Sequence, residues 1–270
     1  MPIDGADALC SAHIGDLEVS YLATGSGPRL VMIHGLAQDH GIWNEVQHAL
    51  ADYTTLSYDV RGHGSTTLGA ADGTLAQLGK DLTGLLAEIG PSVCVGFSLG
   101  GAIALWAASE RPDLVTGVIA VATSSVVGKA ADAALSGRIE DFRTGAPERI
   151  RQIILEDTVS QLGTTVPDPS AIVERRMCAI GDRSGYINGA EAVRSMRVNS
   201  LNDRLPAISC PVLIVSGELD AWCPRRAAEI MLEGLPTAKF IELPGIGHLV
   251  TEDDPDGLAT VIRTWLETEA

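Results

Sequence analysis

A chain of 270 residues with 46% hydrophobic and 20% charged side chains has the composition of an ordinary globular protein and enough apolar material for one large core. Its formal net charge of -16 opposes nucleic acid or an anionic membrane surface as partner, because the electrostatic part of such binding is repulsive. No apolar run reaches the roughly 18 residues that span a bilayer, and Met1 to Asp7 lacks the basic and apolar regions of a signal peptide, so a cytoplasmic location is expected.

Leu17 to Ala23 alternates apolar and polar residues as a half-exposed strand does, and Gly25-Ser26-Gly27-Pro28 turns the chain, so a first hairpin is expected. Arg29 to Ile33 is a fully buried strand ending in His34-Gly35-Leu36-Ala37, and Ile42 to Leu50 is a helix. Thr54 to Tyr58 is the next strand, closed by Asp59-Val60-Arg61-Gly62-His63-Gly64-Ser65. Thr74-Leu75-Ala76-Gln77 has the form of a capping box, and behind it Leu75, Leu78, Leu82, Leu85, Leu86 and Ile89 recur at helical spacing until Gly90-Pro91 stops the helix. The apolar run Ser92-Val93-Cys94-Val95 leads through Gly96-Phe97-Ser98-Leu99-Gly100-Gly101 into a helical run, Ala102 to Ala108. Val115 to Ala122 is again almost continuously apolar, and strands of this kind separated by helices predict a parallel sheet covered on both faces.

From about Thr123 to Ile208 the pattern changes to several helical segments without a convincing strand, as in an insertion that lies over the sheet edge as a lid. Cys210 to Ser216 resumes the sheet, Pro224 to Leu235 is a helix and Lys239 to Leu243 the last strand. Asp254 before Pro255 starts a helix that runs towards Glu267, an N-cap followed by proline at the first helical position. The expected division is therefore a core of residues 1–122 and 209–270 and a helical lid of residues 123–208.

A β-type run, a Gly-x-Ser-x-Gly turn and a helix in that order make a nucleophile elbow with Ser98 at its tip. Gly96 and Gly100 relieve collisions around a strained serine, and Gly101 lets the helix start close to the sheet. A serine hydroxyl needs a base to take its proton and a third group to fix that base. Asp220 in Gly217-Glu218-Leu219-Asp220 and His248 in Gly245-Ile246-Gly247-His248 each follow a late strand, and the carboxyl ends of parallel strands converge on one rim. The order Ser, Asp, His is the one associated with the elbow. The backbone N–H groups of Leu36 and Leu99 are the expected oxyanion donors. Asp59 and Arg61 are expected to hold their Gly-rich turn, with His63 as a competing histidine, Glu218 as a competing carboxylate beside Asp220, and His34 as a residue that fixes its own loop.

The set H-G-L-A at 34, D-V-R-G-H-G at 59, G-F-S-L-G-G at 96, G-E-L-D-A-W-C-P at 217 and G-I-G-H at 245 resembles the α/β-hydrolase superfamily over essentially the whole chain. The resemblance implies an eight-stranded, mostly parallel α/β sheet with helices on both faces and a helical lid. Dehalogenases and epoxide hydrolases of this fold carry aspartate where this chain has Ser98, which argues against both. Within the superfamily, Asp39-His40-Gly41-Ile42-Trp43, Tyr58-Asp59-Val60-Arg61-Gly62-His63-Gly64 and the lid end from Gly185-Tyr186 to Leu205 resemble 3-oxoadipate enol-lactonases and similar lactonases. Those lactonases often carry Asn-Ser-Leu-Gly where this chain has His34-Gly35-Leu36-Ala37, the generic esterase form.

The expected activity is hydrolysis of a small ester or lactone through an acyl-enzyme. C–C bond hydrolysis of a dienoate, and ligand binding without turnover on the same scaffold, are the alternatives. Five scattered cysteines without a C-x-x-C suggest neither a disulfide framework nor a zinc site, so no cofactor and no metal are expected. The expected partner is a small-molecule substrate, with no nucleic acid and no membrane, and the sequence leaves room for a homo-oligomer. Between Thr123 and Leu205 there are 11 basic and 11 acidic residues, so the whole net charge belongs to the rest of the chain. Lid arginines are therefore the expected partners of a substrate carboxylate.

Overall fold

The doubly apolar runs become the centre of an eight-stranded sheet in the computed structural model, which describes residues 9–163 and 168–269. The Met1 to Asp7 stretch, and positions 164–167 within the expected lid, lie outside the described residues. In chain order the strands are β1 (Leu9–Ile14), β2 (Leu17–Thr24), β3 (Arg29–Ile33), β4 (Thr54–Tyr58), β5 (Ser92–Phe97), β6 (Val115–Val121), β7 (Val212–Gly217) and β8 (Lys239–Leu243). Their order across the sheet is β1-β2-β4-β3-β5-β6-β7-β8. The β1–β2 and β2–β4 pairs are antiparallel and the rest parallel.

The expected hairpin forms one strand earlier than the Gly25-Ser26-Gly27-Pro28 turn. Strand β1 pairs with β2, while β2 leaves β3 and pairs with β4. Gly25 and Gly27 instead fold the chain against the backbone of Ala51, Asp52 and Tyr53, where any Cβ would lie within 2.1 to 2.3 Å of a carbonyl oxygen. Strand β3 is thereby freed to sit between β4 and β5, where it is buried on both faces.

Alternation along the central strands divides the core. In β3, Val31 and Ile33 pack on α2 (Leu75–Ile89) and α3 (Leu99–Glu110), while Leu30 and Met32 pack on α1 (Asn44–Ala49) and the C-terminal helix. The capping box at Thr74 is half formed. Thr74 Oγ1 accepts the Gln77 N–H at 3.1 Å, but the Gln77 side chain turns back to the Asp72 N–H. Between β6 and β7 come α4 (Lys129–Thr144), α5 (Pro147–Gln161), α6 (Ser170–Ile180) and α7 (Ser184–Ser195), with no strand among the described residues. They share a separate apolar cluster built on Ile139, Phe142, Ile150, Ile153, Ile154 and Tyr186. Helix α8 (Arg225–Gly234) follows β7, and the short α9 (Val250–Asp253), which the sequence did not suggest, precedes α10 (Pro255–Glu269). Asp254 Oδ1 accepts the Gly257 N–H at 3.0 Å and caps α10. No helix among the described residues is long and apolar enough to cross a membrane.

Candidate active site

Strand β5 lies in the middle of the sheet and turns into α3 at Ser98, whose backbone takes φ 52° and ψ -114°. A non-glycine residue there stores on the order of 1–3 kcal/mol and is held by its surroundings. Here the Ser98 N–H donates to the Val121 carbonyl at 2.9 Å and the Thr123 hydroxyl to the Ser98 carbonyl at 2.6 Å. The glycines are steric necessities. A Cβ on Gly96 would stand 2.2 Å from the Gly100 oxygen, and one on Gly100 the same distance from the Ile33 oxygen of β3. Close approach of helix to sheet is thus carried by Gly100, whereas Gly101 faces the Thr123 side chain.

The loops after β7 and β8 bring Asp220 and His248 to this turn. His248 Nε2 lies 3.1 Å from Ser98 Oγ, and His248 Nδ1 lies 2.8 Å from Asp220 Oδ2. The Asp220 side chain is fully buried, and its other oxygen accepts the N–H groups of Trp222 and Cys223, both at 2.8 Å. The rings of Phe97 and Trp222 lie near the imidazole, with centroids at 5.2 and 6.1 Å. Leu36 and Leu99 approach each other around Gly189 of α7, where both their side chains end. Neither of their backbone N–H groups has an acceptor among the described residues.

The competing groups are engaged elsewhere. Glu218 is exposed and accepts the Gly245 N–H at 2.8 Å. Asp59 accepts the N–H groups of His40 and Ser65 and pairs with the His40 ring, while Arg61 bridges Asp16 and Asp81. His34 is wholly buried, with Nε2 accepting the Val60 N–H at 2.8 Å, so Nδ1 carries the proton and donates to the Gly35 carbonyl. Burial, and then the neighbouring His63, press its pKa down to about 3.

Several contacts had no signal in the sequence. Asp253 Oδ2 accepts the N–H of Gly247, just before His248, and that of Gly163 after α5, both at 2.8 Å. The Gln161 carbonyl accepts the Leu249 N–H at 3.1 Å. The histidine loop is therefore bonded on both sides of His248 to the end of α5. The basic residues between β6 and β7 mostly have partners of their own: Arg138, Arg143, Arg149, Arg151, Arg175, Arg194 and Arg204 each pair with a carboxylate. Arg176 differs. It is 6% exposed, its Nη1 donates to Thr158 Oγ1 and Gln161 Oε1, its Nε has no partner, and no carboxylate among the described residues lies within ion-pair distance. Finally, Cys223, idle in the sequence, brings its sulfur beside Asp220 and His248. Burial, reinforced by the Asp220 charge, pushes this thiol's pKa well above its ordinary value.

Comparison with known proteins agrees with this architecture. The enol-lactonase of Burkholderia xenovorans superimposes with a TM-score of 0.85 at 22% identity, over 96% of this chain and all of that one, which is a likeness of fold. A thermophilic esterase from Thermogutta terrifontis gives 0.81 at 26% identity, over 96% of this chain and 98% of that one. Among curated proteins, the pimeloyl-[acyl-carrier protein] methyl ester esterase of Nitrosomonas europaea is 27% identical over 83% of this chain and 90% of its own length. The 2-(acetamidomethylene)succinate hydrolase of Mesorhizobium japonicum is 25% identical over 94% and 93%. The sequence profile of the alpha/beta hydrolase family matches residues 30–261, and with an eight-stranded sheet of this order the chain belongs to that family and is a hydrolase.

Proposed function

We propose that the protein is a serine hydrolase of small esters or lactones that works through an acyl-enzyme, with residues 123–208 as the lid over its site. The observation that carries this reading is the unbroken chain from Ser98 Oγ through the His248 ring to the buried Asp220 carboxylate. His248 Nε2 takes the hydroxyl proton as Ser98 Oγ bonds to the substrate carbonyl carbon, and the oxygen becomes an oxyanion facing the N–H groups of Leu36 and Leu99. Collapse breaks the C–O bond, and the imidazolium gives its proton to the leaving oxygen. Water then enters, His248 takes its proton, and the acyl–Ser98 bond breaks with the proton returned to Oγ. Asp220 keeps the Nδ1–H tautomer and stabilises the imidazolium. The esterase and hydrolase names of the curated relatives support the reaction class.

The test is an activated acetate ester, which gives a burst of chromophore followed by steady turnover if the acyl-enzyme forms and is hydrolysed. A burst without turnover supports a ligand-binding protein instead, and the absence of both burst and turnover overturns the role of Ser98.

The substrate in this reading carries a carboxylate. A buried guanidinium without a direct ion pair is costly, and Arg176 is such a group, offset only by the more distant charges of Asp157 and Glu252 and tied through Gln161 to the loop that carries His248. A lactone or ester with a free carboxylate is then preferred over its methyl ester in kcat/KM. The preference weakens in salt and is lost in Arg176→Met. Equal turnover of the uncharged analogue overturns this part of the reading and leaves a general esterase.

A further inference from the structure

Asp220, Cys223 and His248 form a group of potential metal donors in which one carboxylate oxygen, the thiol sulfur and one ring nitrogen all lie within 4.8 Å of one another. The arrangement follows from two loops. Asp220 fixes the turn after β7 by accepting the N–H groups of Trp222 and Cys223, which brings Cys223 back to the carboxylate it follows by three residues. The loop after β8 delivers the ring, with Nδ1 on the Asp220 side and Nε2 on the Ser98 side. Asp220 and His248 are buried and Cys223 is partly exposed, beside the exposed Leu219 and Trp222, so the path for an ion runs past Cys223.

Thiolate, imidazole and carboxylate are the donors that zinc takes, at about 2.0–2.3 Å in tetrahedral geometry. Bonds of that length require donors separated by roughly 3.3–3.8 Å, so closing around an ion asks for shifts of about 1 Å or less. Calcium and magnesium prefer all-oxygen shells and are not served by a thiol.

We propose that this group is an inhibitory site for a thiophilic divalent cation of the zinc and cadmium class. Cys223 releases its thiol proton to solvent and binds as thiolate, Asp220 contributes a carboxylate oxygen, and His248 binds through Nδ1. A water completes the tetrahedron. Metal on Nδ1 displaces the proton from that nitrogen, so the neutral ring now carries its proton on Nε2, facing Ser98 Oγ. A ring in that state cannot accept the serine proton. Inhibition therefore rests on the reading of His248 as base, whereas binding does not.

The two are separated by using two proteins. On Ser98→Ala, which cannot turn over, cadmium titration should give one tight equivalent that carries a thiolate-to-metal charge-transfer band. Adding Cys223→Ser should remove that equivalent. On the wild type, zinc should abolish turnover reversibly while magnesium at the same concentration leaves it intact. Cys223→Ser, measured against its own metal-free rate, should need at least about tenfold more zinc for half inhibition, since losing a direct ligand costs no less than losing an outer-shell partner. A cadmium band or zinc inhibition unchanged by Cys223→Ser overturns the site. A Cys223-dependent band without zinc inhibition keeps the site and overturns His248 as base.

Discussion

Replacing Asp220 by asparagine tests the proposed mechanism most sharply, because the structure dictates how the amide must sit. The side chain is fully buried, and one oxygen accepts two backbone N–H groups at 2.8 Å while the other faces His248 Nδ1 at 2.8 Å. Turning the NH2 towards Trp222 and Cys223 would set a donor against two N–H groups that now share one acceptor, at about 1–3 kcal/mol each. The amide oxygen therefore keeps the turn, and the NH2 points at Nδ1. A donor facing Nδ1 selects the ring tautomer with its proton on Nε2, which meets Ser98 Oγ with a proton where an acceptor is needed. Recovering the productive tautomer by flipping the amide costs about 2–6 kcal/mol on that count, and the charge that stabilises the imidazolium is gone in either state. The expected loss is about 10⁴ in kcat, or about 5 kcal/mol, the size of the same replacement in the Ser-His-Asp template. Steady-state hydrolysis of an activated ester measures it, with thermal unfolding to show that the fold is retained. A folded Asp220→Asn enzyme within tenfold of the wild-type rate refutes the reasoning. So does Glu218→Gln producing the large loss instead, since Glu218 is exposed and bonded to Gly245.

Ser98→Ala should lose turnover by several orders of magnitude with an unchanged melting temperature, and a retained rate would remove Ser98 from the chemistry. Gly100→Ala should destabilise by at least about 2 kcal/mol, because its Cβ meets the Ile33 oxygen at 2.2 Å. Gly137→Ala, in α4 with open space around it, should stabilise by about 0.5–1 kcal/mol, and urea midpoints showing equal effects would undo the steric argument. Stability should fall on acidification. His34 has a folded pKa of about 3 against an ordinary 6.5, so the unfolded chain binds more protons between those values. The loss from this group is up to about 1.4 kcal/mol per pH unit below 6.5. His63, pressed down by burial, adds the same sign. His40, raised by its hydrogen bond to Asp59, works the other way and loses its contribution as pH rises through its folded value. Urea midpoints that rise from pH 7 to pH 5 would show that the buried histidines do not dominate. Asp253→Ala should lower kcat more than it raises KM, because it frees the loop before His248 from the end of α5, and a change in KM alone would contradict that.

What was legible in the sequence is what depends on burial and on short-range sterics. Strands β3, β5, β6 and β7 were found because a run buried on both faces is almost continuously apolar, whereas β4 buries Thr55 and Ser57 beside Leu56 and Tyr58. The elbow was found because its glycines answer collisions within five residues. Pairing was not legible in the same way. Alternation in Leu17 to Ala23 tells which side chains face the core, not which strand lies alongside. Only the crossover through α1, which carries β4 back beside β3 in parallel, leaves β2 to pair with β4. Strand β1 is an edge strand whose residues are mostly half or fully exposed, so it left little apolar signal.

The charges show the same boundary. The count of charges between Thr123 and Leu205 led to the expectation of lid arginines for a substrate carboxylate, whereas Arg138, Arg143, Arg149 and Arg151 pair with acids of the same segment. Arg175 and Arg176 are neighbours in sequence, yet one meets Glu252 at the surface and the other faces Thr158 and Gln161 inside. Their difference arises because adjacent positions on α6 point about 100° apart, so α5 packs on one of them only. Cys223 is likewise silent at its own position and acquires chemistry only from a histidine delivered by the loop after β8. A residue's local neighbours can therefore single out a candidate nucleophile, because the elbow is local, while the groups that would select a substrate or admit an inhibitor are defined by helices and loops that meet only in the fold.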